Sequence, residues 1–413
     1  VEPGIVPQLN AETPLFDSFS KGTASAILGR AKLRGIKVNR NRGGYYTAEG
    51  GAPPVAGAVE IQNLVIPERY YHHAMELTEQ LLNASRSNEA AFGDALEIHI
   101  SDLQEGLRIR RNRALWGNGR GVLALCNGAA TTTTVTVDSP GGIAGADDGT
   151  RFINVGDWVS AVTPGGSLRQ AVAYEVNAVP TASTFTTTAA VTWTDNDFVV
   201  KCVQTTGTLT IGNTEWAHPP MGLDGMVDNG GSVNIYFGLS RTTFPVLNAH
   251  VISVGGALSA DVIQRACDAA HKVGGAITNE IWVESAVKRS YLRIAEMDRR
   301  YTAGDLQSPN LGTKAAGARA YAQTGLKFGP IPIYQDPDAP YGQMFGLDTR
   351  DLKHYPGPMG WADRDGNMFK ASTTAVDTWD AYFRCFEQFA AERPNRLWRL
   401  TNISCDLVAL HVI

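Results

Sequence analysis

The sequence predicts an α+β protein that carries a separate all-β module. Three observations lead there. Residues 87–116 hold a long run with helical periodicity. Residues 128–206 turn Thr-rich, lose that periodicity and break into short strand-like runs between turn signals. From residue 232 onward helical and strand patterns alternate again.

Taken in order, residues 1–29 are rich in Pro, Ser and Gly and read as an extended arm with one short helix. Residues 37–67 read as an extended hairpin. Its first half, 37–46, has weak strand character and carries Arg40 and Arg42; its second, 59–66, alternates better, with Val59 and Ile61 on one face until Pro67 limits the ladder. Between them lies the tip Glu49-Gly-Gly-Ala-Pro-Pro-Val-Ala-Gly57, with Pro53 and Pro54 at its centre. An isolated two-stranded ribbon is marginal in water. This hairpin makes physical sense lying on another chain, with Arg40, Arg42, Glu49, Pro53 and Pro54 as candidates for contact. Residues 69–82 fit either a strand or a helix.

In the long helix, Leu96, Ile100, Leu103 and Leu107 form one stripe. Glu89 and Asp94 near its start, and Arg108, Arg110, Arg111 and Arg113 near its end, suit the helix dipole. The arginine run is a candidate nucleic-acid face, but the better reading is a solvated or salt-bridged helix end, with Arg110 and Arg111 as candidates for contact between subunits. Gly117-Asn-Gly-Arg-Gly121 stops the helix. Strand-like runs at 135–137, 158–162, 170–176, 184–188 and 198–203 then make a sandwich or barrel. Cys126 and Cys202 flank it. Inserted modules enter and leave at nearby points, which places the two thiols close together without requiring a disulfide. Further on come a helix at 259–273, a strand at 280–284 and a helix at 285–297. A Gly/Ala-rich loop at 306–323 precedes a strand pair at 326–334, broken by Gly329-Pro330. Segments at 344–347, 368–371 and 382–393 follow.

Composition bounds the function. The 413 residues suffice for two or three packed units, and the 43% hydrophobic and 19% charged content is that of a globular protein. A net charge of −5 argues against a protein that coats nucleic acid, which needs clustered cations to displace counterions. It permits a container for nucleic acid. The five cysteines are scattered, which suggests a reduced, cytosolic chain. No apolar run approaches the roughly 18 residues of a membrane span, and the first residues lack the pattern of a signal peptide. Neither H-E-x-x-H, nor a phosphate loop, nor G-x-S-x-G occurs. Gly117-x-Gly-x-Gly121 follows a helix, whereas a phosphate loop precedes one. His72 and His73 face opposite ways on a strand and do not chelate one ion. Asp363-Arg-Asp365-Gly-Asn367 begins like a calcium loop but lacks the closing Glu, and Asp-Gly between strand-like flanks reads as a hairpin turn. No catalytic residue, cofactor or metal ligand is expected.

One order of weak motifs is distinctive. It runs from the arm and hairpin to the long helix ending in Ala114-Leu-Trp-Gly-Asn-Gly-Arg-Gly121. Gly222-Leu-Asp-Gly-Met-Val-Asp228, Ile281-Trp-Val-Glu-Ser-Ala-Val-Lys-Arg-Ser-Tyr-Leu292 and Ile331-Pro-Ile-Tyr-Gln-Asp-Pro-Asp-Ala-Pro-Tyr-Gly342 come next. Gly346-Leu-Asp-Thr-Arg-Asp-Leu-Lys353, Arg393-Pro-Asn395 and Leu400-Thr-Asn-Ile403 close it. This order resembles the major capsid proteins of tailed double-stranded DNA bacteriophages, the Hong Kong 97-type capsid fold, over nearly the whole chain apart from the β module.

The resemblance implies a division of labour. Residues 1–36 would be an N-terminal arm and 37–68 the E-loop hairpin. Residues 69–127 would form the peripheral domain with its spine helix, 128–206 the inserted β module and 207–231 a return to the peripheral domain. Residues 232–349 would form the axial domain, and 350–413 the C-terminal peripheral-domain strands. It further implies a structural shell subunit, without catalysis, that assembles with itself as hexamers and pentamers around a packaged genome. The expected setting is the virion, assembled in the host cytoplasm, with scaffolding, portal and decoration proteins as partners, weak contact with packaged DNA and no membrane. Some members crosslink a Lys to an Asn; here Lys37 is the only lysine of the hairpin, and no such pair is assigned. Two alternatives stand beside this reading: an encapsulin-type compartment, and a secreted carbohydrate-binding or hydrolytic β-rich protein.

Overall fold

The computed structural model describes residues 13–19, 27, 29–41, 43–52, 54–78, 80, 89–143, 148–205, 207–299, 326–362, 369–371 and 378–405. The loop expected at 306–323 and the turn expected at 363–366 lie outside the described residues, as do Arg42, Pro53 and the first twelve residues.

The hairpin is a two-stranded antiparallel sheet of β1 (Ala31–Asn39) and β2 (Glu60–Pro67), in register from Ala31 opposite Pro67 to Asn39 opposite Glu60. Its first strand thus starts at Ala31, inside the span expected as arm, and stops at Asn39 rather than near residue 46. The stop has a local cause: Asn41 Oδ1 accepts the Gly43 N–H at 2.8 Å, a side-chain turn that competes with the ladder. The arm's short helix, α1 (Pro14–Phe19), is not an outlying piece. Leu15, Phe16 and Phe19 are buried in the largest core cluster.

The ambiguous segment is a strand, β3 (Arg69–Thr78), because a long partner runs beside it: β19 (Thr378–Ala391) pairs with it from Thr378 opposite Thr78 to Glu387 opposite Arg69. On its other edge β19 pairs with β17 (Leu352–Trp361) and β18 (Phe369–Ala371). The sequence reading missed β17. Its Pro356-Gly357-Pro358 looks like a turn, yet it sits on an edge strand at a break in register between Pro356 and Met359, where a proline costs little. The long helix, α2 (Glu89–Trp116), crosses this region and buries Leu103, Leu107, Leu115 and Trp116.

Directly after α2 the chain enters a closed six-stranded barrel in the order β4-β5-β8-β7-β6-β9. The strands are β4 (Val122–Cys126), β5 (Ala130–Asp138), β6 (Trp158–Val162), β7 (Tyr174–Thr181), β8 (Thr184–Trp193) and β9 (Phe198–Lys201). The alternative between sandwich and barrel is settled by β9, which pairs with both β4 and β6 and leaves no edge. The first strand, β4, lies before residue 128, so the barrel begins earlier than the composition change. Its interior is a separate core that includes Val135, Val137, Phe185, Val191 and Trp193. Asp197, fully buried, holds the β8–β9 turn: it accepts both arms of Arg169 at 2.7 and 2.6 Å and the Thr194 N–H at 2.8 Å. Cys126 and Cys202 are buried free thiols.

After a small hairpin of β10 (Ile235–Tyr236) and β11 (Leu239–Ser240), the remaining large sheet has six strands, β12-β20-β16-β13-β15-β14. These are β12 (His250–Gly256), β13 (Glu280–Val283), β14 (Lys327–Phe328), β15 (Ile331–Gln335), β16 (Met344–Leu347) and β20 (Trp398–Ile403). Ile281, Val283, Ile333 and Leu400 cluster with α4 (Ala260–Gly274) through Ile263, Ala266 and Ala270, and with α5 (Ser285–Arg299) through Val287 and Tyr291. Ser259 Oγ caps α4 by accepting the Val262 N–H. Gly346 of β16 has to be glycine: a Cβ there would stand 1.9 Å from the ring of Trp398.

The 222–228 motif now has a physical meaning. It makes one helical turn, α3 (Leu223–Met226), followed by Asp228. Arg399 of β20 pairs with Asp224 and, at 3.2 Å, with Asp228. Fully buried Arg241 donates to the carbonyls of Gly225, Met226 and Asp228 and lies 4.9 Å over the Tyr236 ring. Each charge removed from water is matched by a charge or a carbonyl, as burial demands.

Candidate assembly surface

The ribbon divides into a root and a free end. At the root, Leu64 and Ile66 are buried, the Val65 N–H donates to the Phe237 carbonyl at 3.0 Å, and Arg34 pairs with Glu392 at 3.1 Å. Beyond it, every described residue from 44 to 61 is exposed. Several are large and apolar: Tyr46 is fully exposed, Val55 is 88% exposed and Ile61 65%, while Tyr45, Val59 and, on β1, Leu33 add to the surface. The tip is ordered by its own chain. Tyr45 Oη donates to the Ala52 carbonyl at 2.6 Å, and Gly51 N–H to the Ala48 carbonyl at 3.0 Å. The two sides converge at Gly57, where a Cβ would lie 2.3 Å from Asn41 Oδ1. The free end is therefore a shaped strip of apolar side chains on backbone that is mostly outside any sheet, a surface that favours burial against a partner.

A buried polar cluster lies beneath the root. Asp336, fully buried, accepts Asn112 Nδ2 of α2 at 3.1 Å and the Leu15 N–H of α1 at 3.2 Å. Asn112 Oδ1 accepts the Phe16 N–H, and Asn112 Nδ2 also reaches Asp338 at 2.8 Å. One asparagine thus clamps α1 to α2 and to the loop after β15. Burial, and then the Asp338 carboxylate, raise the Asp336 carboxyl to about 7.

Of the sequence-derived contact residues, Arg40, Glu49 and Pro54 are exposed on the free end; Arg42 and Pro53 lie outside the described residues. Arg110 and Arg111 are half-buried and already paired within the chain. Arg110 pairs with Glu215 at 2.5 Å. Arg111 donates from Nε to Glu387 at 2.7 Å, its other arm reaching the second Glu387 oxygen, and stacks 4.2 Å over Phe16. Burial raises the Glu387 carboxyl, but hydrogen bonds from His354 and Arg111 outweigh that and hold it below the ordinary range. The helix end is salt-bridged within the chain because β19 and the segment leaving the barrel bring acids to it. Tyr45, Tyr46, Val55 and Leu33 were not singled out from the sequence. The first three sit in a Gly/Pro-rich stretch without periodicity and Leu33 on the weakly patterned β1; their signal is a large apolar side chain left exposed among the described residues.

No helix among the described residues is long and apolar enough to cross a membrane. No protein-family model matches the chain, and no curated protein matches it by sequence. Its fold does have solved counterparts. The capsid chain of cyanophage A-1(L) superposes with a TM-score of 0.58 at 14% identity, over 98% of this chain and 96% of that one. The SrpI encapsulin of Synechococcus elongatus gives a TM-score of 0.47 at 8% identity, over 98% and 92%. The capsid of a native GTA particle gives 0.46 at 10%, over 98% and 96%. The chain has the α+β fold of the cyanophage A-1(L) capsid chain, end to end.

Proposed function

We propose that this chain is a major capsid protein: a structural subunit that assembles with itself into an icosahedral shell around a double-stranded DNA phage genome. The observation that carries the reading is the ribbon's free end, apolar and ordered, with nothing among the described residues to cover it. In this proposal the ribbon is the E-loop and lies across a neighbouring subunit, adding backbone and side-chain contacts there. Arg40, Arg42, Glu49, Pro53 and Pro54 would contribute to that contact, together with Tyr45, Tyr46 and Val55. α2 serves as the spine helix of a peripheral domain that also holds β3 and β17–β19. The six-stranded sheet with α4 and α5 forms the axial domain that gathers around local symmetry axes. The barrel is an insertion that decorates or braces the shell.

Full coverage of a capsid chain by the fold supports this assignment. So does the net charge of −5, which suits a container whose wall holds its cargo loosely. Heterologous contacts around rings close a shell, and many modest contacts per subunit multiply into a stable one. Scaffolding, portal and decoration proteins complete the proposed set of partners. Electron microscopy of the purified chain tests the reading: closed icosahedral particles support it, and dispersed monomers at micromolar concentration contradict it.

A further inference from the structure

Where the end of α2, the start of β3, the barrel and residues 215–220 meet, they line a partly open cavity of about 150 Å³. Arg69, Arg110, Arg111, Arg113 and Arg151 reach its wall, against the carboxylates of Glu215, Asp338 and Glu387. These charges do not cancel. Arg110 is matched by Glu215, and Arg111 by Glu387. Arg151 donates to the carbonyls of Ala339 and Pro337. The Asp338 carboxylate, held by the neutral amide of Asn112, faces Arg113 without forming an ion pair, so five guanidiniums stand against three carboxylates. Arg69 and Arg113 are left over: among the described residues neither makes an ion pair, and the Nε of each is shut off from solvent without a hydrogen-bond partner.

The surroundings sharpen the imbalance. Arg113 lies 4.4 Å over the Phe152 ring, which Arg151 also approaches at 5.1 Å, so two cations share one aromatic ring. Tyr70, Tyr71 and Trp116 supply further aromatic wall, which keeps the local dielectric low and the field of the cations strong. Arg69 stands directly opposite Glu387 across β3 and β19, but that carboxylate is already taken by Arg111 and His354. Burial lowers the pKa of both Arg69 and Arg113. For Arg113 the neighbouring Arg110 and Arg151 push the same way, against Asp338. A desolvated guanidinium with no carboxylate in ion-pair contact is costly, and part of that cost is recovered when an anion meets it.

We propose that this cavity binds a small oxyanion of the phosphate class, held by Arg113 and Arg69. A planar guanidinium presents paired N–H donors that match two oxygens of such an ion. A cavity of roughly 150 Å³ accepts a guest the size of benzene, so a free phosphate enters with a little water. A bound ion would tie β3, α2 and the barrel together at one point. This role is separate from the ribbon's and does not depend on whether shells form.

The test uses the full-length chain and inorganic phosphate, with chloride at matched ionic strength as the reference. Phosphate is expected to raise the melting temperature saturably, by linkage to the folded state, and sulfate to do the same. Arg113→Met is expected to weaken phosphate binding at least ten-fold by calorimetric titration while melting no lower than the native chain in chloride, since it removes an uncompensated buried charge. Arg69→Met gives a second reading of the same loss if the first variant does not fold. Coincident melting curves in phosphate and chloride would overturn the proposal. So would an undiminished phosphate shift in a folded variant, which would mean an adventitious ion only.

Discussion

In the barrel, every strand has a partner on both sides, and Val137, Phe185 and Trp193 meet in a core of their own. In the ribbon, β1 pairs with β2 and with no other strand among the described residues, and past the root its large side chains face outward. Both regions are antiparallel β-structure. Closure makes the first self-sufficient; openness leaves the second stable only through its root and, as proposed, through a neighbour. The comparison teaches where stability and assembly reside in such a chain: stability in edges that are paired, assembly in the edge that is not.

The strongest way to break the comparison is to damage the barrel's core. Phe185→Ala removes a fully enclosed ring and is expected to cost about 3–5 kcal/mol. Calorimetry should show that loss in barrel unfolding, with the rest of the chain melting near its native temperature. A single cooperative transition shifted as a whole would mean that the barrel is not an independent unit.

Replacing residues 122–213 by a short Gly/Ser linker probes the same independence. The flanks are close, since the Ala217 N–H donates to the Arg120 carbonyl at 3.0 Å, and this cut retains Glu215 as the partner of Arg110. Contacts from Arg151 to the 337–339 carbonyls and from Tyr341 to Asp148 disappear. The expected cost to the remainder is about 1–3 kcal/mol, from polar groups left unpartnered. Circular dichroism of a soluble, folded remainder is the expected result.

A smaller effect concerns the root. Asp336 is raised from the ordinary 3.8 to about 7, so its protonated form is favoured in the fold. A group raised in this way contributes stability that is complete below pH 3.8 and fades as pH climbs toward about 7. Asp336→Asn is therefore expected to flatten the pH dependence between pH 5 and 8, while at low pH it melts below the native chain because its amide leaves one N–H donor facing another. Melting curves across that window check it; an unchanged slope would mean that the carboxyl ionises freely in its cluster. The smallest expected change is in stability on the free end. Ile61→Ser should alter the melting temperature by the equivalent of no more than about 0.5 kcal/mol, yet slow particle formation followed by light scattering.

Much of the fold was legible because its signals are local. Ser259 and the Ile263, Ala266 and Ala270 stripe mark α4, and Leu103 with Leu107 marks α2. What escaped was non-local. Residues 69–78 became a strand only because β19 lies beside them, and β17 hides behind its prolines. Barrel closure through β4 lies outside the Thr-rich stretch that announced the module. For the candidate site, the hairpin was visible as Gly/Pro-rich sequence, but its root at Ala31 and its exposed tyrosines needed the register. The arginines at the end of α2 were visible as a cluster; that Arg111 belongs to Glu387, 276 positions away, was not.

The most direct test of the central claim removes the ribbon's tip and reads stability and assembly side by side. Deleting residues 49–58 takes away only exposed or undescribed residues, so the folded core should keep its melting temperature within the equivalent of about 0.5 kcal/mol. Sedimentation velocity should then find a soluble subunit and no shells. Shells forming normally, or a collapse of the melting temperature, would contradict the account.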